Sequence, residues 1–192
     1  MSTRCQLRFV RTLDAGRTAD PTDPVAQVYT HSDGYPSGVL GRLRELKQLL
    51  EATSSVRGPS YAAAQYVFLE KLASLPLYLD PDREAGQRLD AHSPADVCQP
   101  SRMQHLSQPL FLLGHGIEDP SSGIHGDEEY LYIVAIPSYD LGQVEPPTWE
   151  VAVSKQCGFP RWDAQTDDAF SEATWQFEGS LTAARGEFCD DL

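Results

Sequence analysis

Between His31 and Leu50 the chain reads HSDGYPSGVLGRLRELKQLL, and its apolar period changes there from that of a strand to that of a helix. VAQVYTH, Val25 to His31, is strand-like, and Asp33-Gly34 is a turn pair in which aspartate bonds neighbouring backbone NH groups and glycine takes positive φ. Tyr35 and Pro36 aim the chain into a helix. Val39, Leu43, Leu46 and Leu50 recur at spacings of four, three and four, the apolar stripe of a helix laid on a sheet. Gly38 and Gly41 leave the start of that helix open by about a turn.

The flanking segments extend this pattern. In RCQLRFVRTL, Arg4 to Leu13, Cys5, Leu7 and Phe9 alternate with Arg4, Gln6 and Arg8, which predicts a half-buried strand. DAGRTADPTDP reads as a turn-rich connector, so this strand and the one from Val25 are expected to form a hairpin with a loose loop. SSVRGPS breaks the chain before a second helix, Ser60 to Ser74, with Ser60 as its N-cap and Pro76 as its stop. That helix is apolar on more than one side, which predicts burial between layers. Residues 78–107 lack sustained periodicity and read as a long surface excursion. Strands are expected at Leu110 to Leu113, from Glu129 in EYLYIVAI and from Trp149 in WEVAVSKQ. Phe170, Ala173, Phe177 and Leu181, behind Asp167 and Asp168, predict a short C-terminal helix packed on the body. This order is that of an α+β fold, a mostly antiparallel sheet with helices on one face. It divides into one domain over 1–154 and a C-terminal extension over 155–192.

Charge narrows the partners. There are 28 acidic and 15 basic residues, a net −13, and the basic side is 12 Arg with only 3 Lys. Duplex DNA is excluded as the expected partner, because phosphate binding needs a basic footprint. The charge is uneven: +2 over residues 1–50, 0 over 51–75 and −15 over 76–192. Carboxylate excess with scarce lysine suits a halophilic cytoplasm, where screening removes self-repulsion. The rival reading is an acidic decoy that mimics nucleic acid. No run of about 18 apolar residues and no signal-like segment occurs, so a soluble cytoplasmic protein without a membrane partner is expected. Cys5, Cys98, Cys157 and Cys189 match neither a zinc nor a Cys-x-x-Cys spacing and read as buried thiols.

RCQLRFV, VYTHSDGYPSGVL and IHGDEEYLYIV together resemble a family of uncharacterised small proteins of archaea, bacteria and their viruses. Its members pair a strand ending in His-x-Asp-Gly-Tyr-Pro with a later His-Gly-Asp-x-Glu-Tyr-x-Tyr strand. The likeness covers roughly residues 4–54 and 108–153. It implies shared architecture and offers no catalytic residues.

Three readings of the two motifs stay open. In the first, Asp33 and Gly34 simply make a corner, with His31 at a strand end. In the second, His31 and Asp33 converge with His125 and Asp127 on a divalent metal, with Glu129 as the base of a hydrolase. In the third, a small molecule without chemistry is held by His31, Asp33, Tyr35, His125, Asp127, Glu129, Tyr130 and Tyr132. Tyr130 and Tyr132 share a strand face, so they also suit plain sheet packing. GHG at 114–116 lacks the context of a dinucleotide loop, and His115 is the other histidine near a strand. The favoured expectation is a non-enzymatic binding or interaction protein without a cofactor, its partner a protein or small molecule; the metal-dependent hydrolase is the alternative.

Overall fold

The computed structural model describes residues 3–18, 25–31, 33–79, 115–120, 128–137, 147–155 and 169–189. Their strands are β1 (Cys5–Val10), β2 (Ala26–Thr30), β3 (His115–Glu118), β4 (Tyr130–Ala135), β5 (Glu150–Lys155) and β6 (Phe177–Ser180). The helices among them are α1 (Leu13–Thr18), α2 (Pro36–Ala52), α3 (Pro59–Leu79), α4 (Ala169–Glu172) and α5 (Leu181–Phe188). The strands form one sheet in the order β3-β2-β1-β4-β5-β6. Every pairing is antiparallel except β1 with β4. The fold is α+β, with the β1–β2 hairpin in place; the strand at Leu110 to Leu113 and the 78–107 excursion fall largely outside the described residues.

The long helices gather on one sheet face. Val39, Leu43, Leu46 and Leu50 of α2 are buried in one core with Leu7, Phe9 and Val28, as their spacing predicts, and Leu40 joins them. Helix α3 lays Ala62, Ala63 and Tyr66 on the same core, the alanines allowing close approach, and Tyr66 meets the Phe9 ring at 5.6 Å. It is not enclosed on all sides, because Phe68 is 51% exposed. Its first residue is Pro59, placing Ser60 inside the first turn, and the helix runs past Pro76 to Leu79.

The opposite face holds the main departures from expectation. Strand β1 is buried on both sides: Gln6 is fully buried and Arg8 nearly so. Part of the predicted connector is helix α1, which with α4 closes over Val10, Leu131, Ile133 and Phe170. Arg8 tolerates burial because its charge is paired with acceptors. Its Nε donates to Gln27 Oε1 at 3.0 Å, an Nη donates to the Gly16 carbonyl at 2.9 Å, and the guanidinium lies 4.0 Å over the Phe170 ring.

The Phe170–Leu181 pattern is not one helix. Phe170 belongs to α4, Phe177 begins the edge strand β6, and Leu181 begins α5, capped by Ser180 Oγ accepting from Ala183 N–H. Residues 177–188 thus supply a sixth strand to the sheet and, through Leu181 and Ala184, side chains to the main core.

Candidate functional site

One end of the sheet carries polar side chains in a single row. Register places His115 of β3 beside Thr30 of β2, Thr30 beside Cys5 of β1, and Cys5 beside Tyr130 of β4. Paired residues share a sheet face, here the one covered by α2 and α3.

The corner after β2 is made differently from its sequence reading. Asp33, not Gly34, takes the left-handed backbone, with φ 57, and its side chain is exposed. Aspartate is among the few residues that visit this region at low cost. Gly34 is required for close approach instead: a Cβ there would lie 2.8 Å from the Arg4 carbonyl carbon and 2.9 Å from the Cys5 nitrogen. Its N–H donates to the Thr3 carbonyl at 2.9 Å, and its own carbonyl accepts from the Tyr132 hydroxyl at 2.8 Å. The two sequence motifs therefore meet, through a structural bond between the first motif's glycine and the second motif's last tyrosine. Helix α2 then begins at Pro36 with Tyr35 as an N-cap whose side chain makes no cap bond.

Of the predicted residues, Tyr132 is fully buried and the half-buried Tyr130 stacks on it at 6.2 Å, as sheet packing would have them. Glu129 binds β4 to β1 through its N–H, which donates to the Arg4 carbonyl at 3.0 Å. His31, Asp33 and Tyr35 are exposed together at the corner. Arg4 Nε donates to His31 Nδ1 at 3.3 Å and the Tyr29 hydroxyl lies 2.9 Å from the same nitrogen; burial and the Arg4 charge hold this imidazole below its ordinary range. His125 and Asp127 lie outside the described residues. Among the described residues no group of three or more His, Cys, Asp or Glu is placed to hold a metal ion.

His115 is the residue whose role the sequence concealed. It is 6% exposed, its Nδ1 meets no hydrogen-bond partner among the described residues, and its pKa is lowered to about 4. Burial is the main cause, followed by the positive charges of Lys71 and His31; Asp33 opposes them and Arg42 adds to them. Its pairing with Thr30 places His115 beside the end of β2 from which the exposed corner departs. Glu70 of α3 accepts from Arg42 Nε at 3.2 Å, and burial raises its carboxyl despite that guanidinium. Burial and the nearby Glu128 push the Cys5 thiol well up, which keeps it protonated and unreactive. Only the register of β3 against β2 brings His115 here, and no local sequence pattern encodes that register.

Comparison with protein-family models, curated proteins and solved structures found no match to this chain. Fold and site thus define an α+β protein, with six strands among the described residues and a buried, neutral histidine behind an exposed polar corner. No helix among the described residues is long and apolar enough to cross a membrane.

Proposed function

We propose that the protein is a small non-enzymatic binding protein whose ligand sits at the corner where β2 turns into α2. The observation that carries this reading is the buried His115 Nδ1 without a partner, on the strand paired with Thr30, from which the exposed His31 and Asp33 continue. A buried polar atom left unbonded costs about 1–3 kcal/mol, which a ligand group bonding to it offsets. Binding is favoured over nucleophilic chemistry because the Cys5 thiol is held protonated and the His31 Nδ1 is engaged by Arg4 and Tyr29. We read the two motifs as those of the small archaeal, bacterial and viral family; in this chain the first makes the corner, and the second pins it through Tyr132. The net −13 is read as salt adaptation of a cytoplasmic protein from a halophile or its virus.

The test is a thermal-shift panel of phosphate, acetate, free amino acids and uncharged sugars, run on the native chain and on His115→Leu. A ligand that binds only the folded protein raises its melting temperature. At least one class should do so for the native chain and fail to do so for the variant. A native chain unmoved by every class, or a variant that responds equally, would sink this reading.

A further inference from the structure

We propose that the ligand is an uncharged molecule presenting a hydroxyl group, a sugar or polyol, and that this hydroxyl bridges His115 and Thr30. The inference rests on the binding reading above and adds the chemical class of the ligand. Its footing is a row of side chains set by strand register. His115 pairs with Thr30, and Thr30 with Cys5. Directly paired residues point to one sheet face with Cβ atoms about 4.5–5.5 Å apart, close enough for one small group to touch both. The two residues are 6% and 1% exposed, and neither His115 Nδ1 nor Thr30 Oγ1 meets a hydrogen-bond partner among the described residues. A buried polar atom is costly to leave unbonded, and here two stand side by side. Cys5, on the far side of Thr30, offers a thiol, a weak hydrogen-bonding group whose contact leaves Thr30 Oγ1 short of a full hydrogen bond. His115 opens β3, the outermost described strand on that side, and Thr30 closes β2, so the pair lies at the rim of the sheet where the chain leaves for the exposed corner.

Neutrality decides the class. The row bears no charge of its own at neutral pH: the imidazole is neutral, the thiol is held protonated and the hydroxyl does not ionise. The surrounding charges favour neither sign. Lys71, His31 and Arg42 lower the His115 pKa through their positive charge, with Asp33 opposing them, while Glu128 and Glu70 raise the Cys5 thiol. A cation is thus disfavoured at the ring end and an anion at the thiol end, and a charge buried among neutral groups costs far more than a neutral one. A hydroxyl also matches the two atoms chemically, because it both donates and accepts. It bonds Nδ1 in either tautomer of the ring, and the Thr30 hydroxyl rotates to take the complementary role. A carboxylate accepts without donating, and an ammonium donates without accepting.

Glycerol, glucose and ribose are titrated separately into the native chain, with sodium acetate and ammonium chloride as charged probes, following the His115 ring nitrogens and the Thr30 methyl by NMR. At least one hydroxyl compound should shift His115 Nδ1 saturably, and the charged probes should not. The Thr30 methyl should move with the same half-saturation point, a readout that needs no variant. Thr30→Val removes the hydroxyl at nearly constant shape and should weaken the affinity about fivefold, as loss of one hydrogen bond does, whereas Thr30→Ser should bind as the native chain does. A linear response, a Thr30 methyl that stays still, or an unchanged affinity in Thr30→Val would overturn the proposal, as would a bound water at the ring that no probe displaces. If acetate or ammonium alone saturates the ring shift, the hydroxyl class falls and the binding site stands; if no probe moves that ring, both fall.

Discussion

His115 makes the stability of this protein depend on pH in a calculable way. An unfolded histidine takes up its proton near 6.5, whereas folded His115 does so only at about 4. Between those values the unfolded chain binds more protons, so acidification favours unfolding. The contribution of neutral His115 is therefore fully present above about pH 6.5 and is lost progressively as pH falls toward 4. The gap between 6.5 and about 4, at about 1.36 kcal/mol per pH unit, amounts to roughly 3 kcal/mol, of which roughly 2 is lost between pH 7 and about 4.5. Glu70 acts in the opposite sense, because its raised carboxyl is protonated more readily when folded. The comparison must therefore be between the native chain and His115→Leu, in which Glu70 remains. Urea unfolding of both proteins at pH 7 and about 4.5 should show the native chain losing roughly 2 kcal/mol more than the variant. Equal losses, within about half a kilocalorie, would refute the claim that this ring is buried and neutral.

Other substitutions probe the frame that holds the corner. Asp33→Asn should leave the urea midpoint nearly unchanged, since asparagine suits φ 57, whereas Asp33→Ala should cost about 1 kcal/mol; equal effects would show that the left-handed backbone is not what selects the residue. Leu46→Ala should cost about 2 to 5 kcal/mol in the same assay, Leu46 being 1% exposed, and a loss under half a kilocalorie would mean that α2 faces another way. Raising salt from low to molar concentration, where the Debye length is about 3 Å, should raise the melting temperature of a chain with net charge −13; a flat or falling response would count against salt adaptation.

Features set by local forces were legible in the sequence, and those set by distant contacts were not. The stripe Val39, Leu43, Leu46, Leu50 and the alternation Cys5, Leu7, Phe9 are local, and each recurs in the core as its period demands. The second burial of β1 was hidden, because Gln6 and Arg8 look like a solvated face until α1 and α4 close over Arg8 and Glu118 of β3 takes the Gln6 amide. The run from Phe170 to Leu181 has helical spacing and yet divides among a helical turn, a strand and a second helix, since pairing of β6 with β5 overrides it. At the corner the turn residues were visible and their roles exchanged: Asp33 supplies the left-handed backbone and Gly34 the close approach. Those roles depend on Arg4, Cys5 and Tyr132, distant along the chain. The candidate site was half visible for the same reason. His31, Asp33 and Tyr35 are near neighbours in sequence, while His115 joins them only through its pairing with Thr30.

The ring of His115 itself offers the most direct test of a buried, neutral histidine behind the corner. In long-range proton–nitrogen NMR spectra of the folded native chain, recorded as pH is lowered from 7, His31 should titrate below 6.5 and His115 should stay in one neutral tautomer until about pH 4. A His115 ring that titrates near 6.5, in the manner of a solvated imidazole, would contradict its burial and remove the support on which the proposed binding site stands.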